Sequence, residues 1–174
     1  MSDKDISLKH VLKCMEEFAS LINESIYAFK TADHLAYVTY PIVTDKKLLM
    51  VVIENLHRAL QRGVEAILTY EYVYKRINYL PKDFEQQLLV FSEAAYRYNV
   101  KKDIISIAKE INEIIKHREK SPIEFIRKDK FVIASEDFTI KTITIEKVKN
   151  YIQQIRYLFD RLSELREINV RRIS

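Results

Sequence analysis

Glycine and proline are nearly missing from this chain, with one glycine and three prolines in 174 residues. An average composition would supply roughly a dozen of the first and eight or nine of the second. Both residues punctuate turns and strand ends. Their scarcity excludes a chain broken into many short strands and favours long, uninterrupted elements. A lone Gly63 also excludes the glycine-rich loops that cradle phosphates. Cysteine occurs once, as Cys14, which excludes an internal disulfide and fits a reducing cytoplasm. The longest purely apolar run, Leu48 to Ile53, is far below the roughly 20 residues of a membrane span. The opening Met1-Ser2-Asp3-Lys4-Asp5 is polar and mixed in charge, so no signal peptide is expected.

What is present is a strongly amphipathic chain, 48% hydrophobic and 31% charged. Its length suits a single domain over 1–174. The net charge of +4 is uneven. Residues 1–115 carry 15 basic and 16 acidic side chains, whereas residues 116–174 carry 14 and 9. A basic last third can steer a protein toward phosphate backbones or acidic partners; it is equally the signature of a solvated helix face.

Apolar spacing identifies the long elements as helices. From Ser7 to Tyr40, Leu8, Leu12, Met15, Ala19, Ile22, Ile26 and Phe29 recur at three- and four-residue steps, the stripe of a helix about 50 Å long. Pro41 is expected to stop it. A second stripe from Thr44 to Ile77 carries Gly63 mid-helix, where glycine costs about 1 kcal/mol relative to alanine. Close approach by a neighbouring helix is the expected reason. The short connection between the two predicts a long antiparallel hairpin.

Pro81 is expected in the first turn of a third helix ending near Asn99, followed by a fourth over 101–117. Whether these are one helix or two is left open by the pattern. Ser121-Pro122-Ile123-Glu124 reads as a capping box, which predicts a short helix. Phe131-Val132-Ile133 and Thr139–Ile143 read as a β-hairpin. A last helix follows over 145–168. The expected fold is therefore all-α: an antiparallel helical bundle built on a long two-helix hairpin, with an irregular insert over 119–143 that holds a short helix and a small β-hairpin near 131–143.

Two constellations could carry chemistry. Glu54 and His57 lie at i and i+3 on one helix face, and Asp33 and His34 stand at a comparable distance before the bend. An antiparallel hairpin would bring them near one another as a candidate Zn²⁺ or Fe²⁺ site. Hydrogen bonding at the edge of an apolar stripe is the competing explanation. Arg127, Lys128, Lys130 and Lys141, interleaved with Phe125, Phe131 and Phe138, could contact phosphates and stack bases; Arg171 and Arg172 extend this basic set. No serine, cysteine or lysine has a base partner at fixed spacing, so nucleophilic catalysis has no support.

A helical hairpin followed by shorter helices resembles, in layout, the HEPN superfamily of small α-bundles. The resemblance implies dimerisation and either action on RNA or partnership with a nucleotidyltransferase. Active ribonucleases of that superfamily carry Arg-x4–6-His, which this chain lacks. Its first arginine is Arg58, and Glu110, Ile111 and Asn112 stand before His117. The resemblance thus implies a non-nucleolytic member. The segment from Ser121 to Ile133 is also similar to one in small archaeal helical proteins, a likeness that carries no activity with it.

The functional expectation is a cytoplasmic, non-enzymatic interaction or scaffold module that forms a homo-oligomer or binds another protein. It needs no cofactor and no membrane. The alternative is an RNA-associated protein using the basic last third.

Overall fold

The computed structural model describes residues 3–121, 123–135 and 139–173, with side chains placed over 13–168 of that range. The chain is mostly helical and carries one small antiparallel sheet. Helix α1, Asp3–His34, does not end at Pro41. It widens into a π-helical turn, Leu35–Thr39, and continues as the short α2, Tyr40–Val43. A proline inside an α-helix lacks an N–H and collides with the carbonyl four residues back. The π turn relieves both problems, because the Tyr40 N–H reaches back five residues to the Leu35 carbonyl. Pro41 then stands in the first turn of α2. The helical run stops at Thr44, which takes a left-handed φ of 53° and donates its N–H to the Tyr40 carbonyl at 2.8 Å.

Helix α3, Lys47–Val73, runs back along α1. Phe18 meets Tyr70 with ring centroids 5.3 Å apart. Ser25 Oγ donates to the Ala59 carbonyl at 2.7 Å. Gly63 lies where α1 and the last helix, α6 (Ile145–Ile173), converge on α3. A Cβ there would sit 2.9 Å from both Leu162 Cδ1 and Ser25 Oγ. That is the close approach expected from a mid-helix glycine. Further along, Phe159 of α6 stacks on Phe29 of α1 at 4.1 Å. The buried core runs along these three helices and takes in Ile22, Leu56, Leu60 and Ile155.

The open question over residues 81–117 resolves as two helices. Helix α4, Phe84–Ala94, is capped by the Asp83 carboxylate, which accepts from the N–H groups of Glu85 and Gln86. Pro81 therefore lies ahead of the helix and not in its first turn, because Asp83 satisfies the orphan donors. A 3-10 turn over Ala95–Tyr98 ends at Asn99, whose φ of 55° breaks the axis before α5, Lys102–Glu119.

The insert is a three-stranded antiparallel sheet: β1 Ile123–Arg127, β2 Lys130–Ala134 and β3 Ile140–Ile143, in that order. The short helix predicted at 121 is absent, and β1 stands in its place. Ser121 does not open a helix; its Oγ donates to the His117 carbonyl at 2.6 Å and closes the end of α5. Ile123, Phe125 and Ile126 favour a pleated strand, and β2 supplies a ladder five residues long. The β2–β3 pairing aligns Phe131 with Ile143 and Ala134 with Ile140. Among the described residues no helix is long and apolar enough to cross a membrane.

Candidate functional site

Strand alternation splits the sheet into two faces. Glu124 and Ile126 of β1, Phe131 and Ile133 of β2, and Lys141 and Ile143 of β3 point toward the helices. Phe131, Ile133 and Ile143 are buried there. Arg118 of α5 clamps this face. Its Nε donates to Glu124 at 2.5 Å, and its Nη1 pairs with Glu54 of α3. Lys141 is drawn to α5 by Glu113 at 3.4 Å.

Between β1 and the first turns of α3 lies a groove of about 440 Å³, lined by Met50, Val51, Phe125, Ile126 and Phe131 and by the charged Lys47, Glu54, Arg118 and Glu124. Every residue of β1 is exposed, including Ile123 at 54%, Phe125 at 41% and Ile126 at 48%. The α2 tip adds Ile42 at 78% and Val43 at 54%. Lys47 and Met50, in the first turn of α3 just beyond that tip, line the same groove as Phe125, Ile126 and Phe131 of the insert. Tip and insert therefore share one end of the molecule.

On the outer face, Arg127, Lys128 and Lys130 surround a shallow depression of about 330 Å³ with Phe125, Val132 and Ile140. These three cations make no ion pair among the described residues. Lys128 takes a left-handed φ of 56° in the two-residue turn. Of the basic residues singled out from sequence, these three gather and Lys141 faces away from them. The side chains of Arg171 and Arg172, and residue Phe138, lie outside the described residues.

Asp33, His34, Glu54 and His57 do not gather. Asp33 pairs with Arg156 of α6 at 2.6 Å, whereas Glu54 pairs with Arg118 of α5. His34 is exposed on α1. His57 Nε2 lies 2.9 Å from Asn112 Oδ1, and its ring stands edge-on to Phe84 at 5.3 Å. The Asn112 amide donates from Nδ2 to Glu85 at 3.3 Å. That leaves Oδ1 as the acceptor and His57 Nε2–H as the donor. Burial pushes the imidazole below its ordinary value, against the pull of the Asn112 hydrogen bond. Among the described residues, no group of three or more His, Cys, Asp or Glu side chains is placed to hold a metal ion. The i, i+3 spacing aimed Glu54 and His57 at α5, where arginine and asparagine take up their polar atoms.

Sequence reasoning missed Glu71. Its side chain is fully buried, with Oε1 accepting from Arg76 at 2.9 Å and Tyr98 at 2.6 Å, and Oε2 pairing with Arg97. Burial disfavours its ionised form, but Tyr98, Arg97 and Arg76 together outweigh that and hold it below the ordinary glutamate value. A signal was present: Glu71 stands four residues after Ile67 and three before Tyr74, a charge on the apolar stripe. Both oxygens are taken by donors, so the cluster braces the C-terminal end of α3 against the 3-10 turn and offers no vacant acid or base.

No protein-family model, curated protein or solved structure matches this chain.

Proposed function

We propose that the protein is a non-enzymatic interaction module that works as a homodimer. Its antiparallel bundle, built on the α1–α3 hairpin, serves as the rigid mount for the sheet insert. One observation carries this reading: large apolar side chains stay exposed along β1, Ile123 and Phe125 on its outer face and Ile126 on its inner one, and Ile42 and Val43 are exposed on the α2 tip. Contiguous exposed apolar surface marks sites where another macromolecule docks. Sedimentation or light scattering across roughly 1–200 µM tests it. The mass should climb from 20.7 kDa toward twice that value. A constant monomer mass over the whole range removes the reading.

A second reading, an RNA-associated and HEPN-like but non-nucleolytic protein, is favoured by the three cations beside Phe125 that make no ion pair among the described residues. Three phosphate contacts predict about a 20-fold loss of single-stranded RNA affinity between 50 and 200 mM salt. The double change Arg127→Glu with Lys128→Glu should abolish that binding and its salt dependence. Binding indifferent to both salt and the double change would count against RNA.

A further inference from the structure

We propose that two copies of this chain join antiparallel along β1, Phe125 opposite Phe125, so that their sheets merge into one of six strands. This rests on the homodimer reading and specifies the surface.

The sheet order leaves β1 with a single neighbour, β2. The Lys128-Asp129 turn joins the pair Arg127↔Lys130. A two-residue turn closes on a hydrogen-bonded pair, and bonded and non-bonded pairs then alternate along an antiparallel ladder. Arg127, Phe125 and Ile123 therefore bond to β2. The N–H and C=O groups of Glu124 and Ile126 point out to the open edge.

A twofold axis through a continuous sheet places residues of the same face opposite each other. Of the registers centred on β1, three form a bonded pair lying wholly within the two strands, those centred on Glu124, Phe125 and Ile126. Centring on Glu124 sets two carboxylates face to face, which is destabilising, and brings in Pro122, which has no N–H to give. Centring on Ile126 requires Lys128 in the ladder, but its φ of 56° has already turned the chain out of the strand. Centring on Phe125 remains. It bonds Glu124 to Ile126 of the second copy, and Ile126 to Glu124, through all the outward groups. It sets Arg127 opposite Ile123, with no like charges facing. The two Phe125 rings meet at a non-bonded pair, where side chains approach most closely.

Each copy's Ile126 then lies opposite Glu124 of the other, at the edge of the groove that Glu54 and Arg118 line together with Met50, Val51 and Phe131. A five-residue edge plus the two symmetry-related groove contacts is a small interface, roughly 1,200 Å² or less in total, and points to micromolar association.

The test uses the full chain. Ile126→Pro removes an outward N–H and leaves the β1–β2 bonds intact, because proline is tolerated on the open side of an edge strand. Phe125→Lys places two ammonium groups face to face. Both variants should keep the wild-type circular dichroism and sediment as monomers, at least about 10-fold weaker in self-association. In a Cys14→Ala background, Phe125→Cys should oxidise to a covalent dimer and Ile123→Cys should not, since Ile123 faces Arg127. A wild type that dimerises with Phe125→Lys unchanged and no crosslink at 125 overturns the β1 pairing while leaving self-association standing. A wild type that stays monomeric overturns both.

Discussion

Glu71→Ala is expected to lower stability by about 3 kcal/mol, the largest single-site loss anticipated here. Removing one partner of a buried ion pair costs roughly 3–5 kcal/mol because the other charge is left without compensation. The lower end applies, since the Arg97 and Arg76 side chains are 30% and 45% exposed and can turn to water. Tyr98 cannot; it is 8% exposed and would lose its acceptor for a buried hydroxyl. In a domain of this size the loss corresponds to about 6–12 °C in Tm, read by chemical and thermal unfolding. The same carboxylate predicts a pH dependence. Its folded value lies below the ordinary 4.5, so the stability it contributes is complete above that pH and disappears as pH falls through the folded value. Stability curves of wild type and Glu71→Gln should therefore draw together progressively as pH falls below 4.5. A gap that stays constant down to pH 3 would show that the charge is not what stabilises this corner.

The second large effect is expected at Gly63. Alanine there should gain about 1 kcal/mol of helix propensity, yet its Cβ would press on Leu162 and Ser25 at 2.9 Å. Leu162 is fully buried, and Ser25 is held by its bond to the Ala59 carbonyl, so neither moves without loss. Overpacking of this kind costs roughly 1–3 kcal/mol, leaving Gly63→Ala destabilised by about 1 kcal/mol and Gly63→Leu by about 2 kcal/mol. Ser25→Ala removes one of the two colliding atoms. A double-mutant cycle should accordingly show Ser25→Ala recovering part of the Gly63→Ala loss, with a coupling of at least about 0.5 kcal/mol. Strict additivity would mean that α1 and α3 are not in contact at this point.

These two positions differ in how legible they were. Gly63 could be read because a glycine on an apolar stripe is locally anomalous, and the anomaly has few causes. Glu71 was equally anomalous, but its meaning depends on Arg97 and Tyr98, 26 and 27 residues further on. No spacing rule connects them. The four candidate metal ligands stay apart for the same reason. Glu54 and His57 do share a helix face, but what that face meets is α5, with Arg118 and Asn112. The basic cluster was partly legible, since Arg127, Lys128 and Lys130 are neighbours across a tight turn. Lys141 left the group because strand alternation sends it to the opposite face.

Helices were readable from residue order because their hydrogen bonds close within four residues, and burial then repeats every three or four positions along the same segment. That local rule placed α1, α3, α5 and α6 to within a few residues. The segment from 121 to 127 obeyed a different rule. Its capping-box pattern is local, but a strand draws its bonds from another strand, and β2 decided the outcome by offering Ile123–Arg127 a complete ladder. At Pro41, likewise, the residue alone signals a stop, and only a widened turn against the packed core lets the helix pass. What depended on contacts distant in the chain — the sheet edge, the Arg118 clamp, the buried Glu71 — came into being with the assembled fold. A chain cannot state in advance which of its own surfaces will meet.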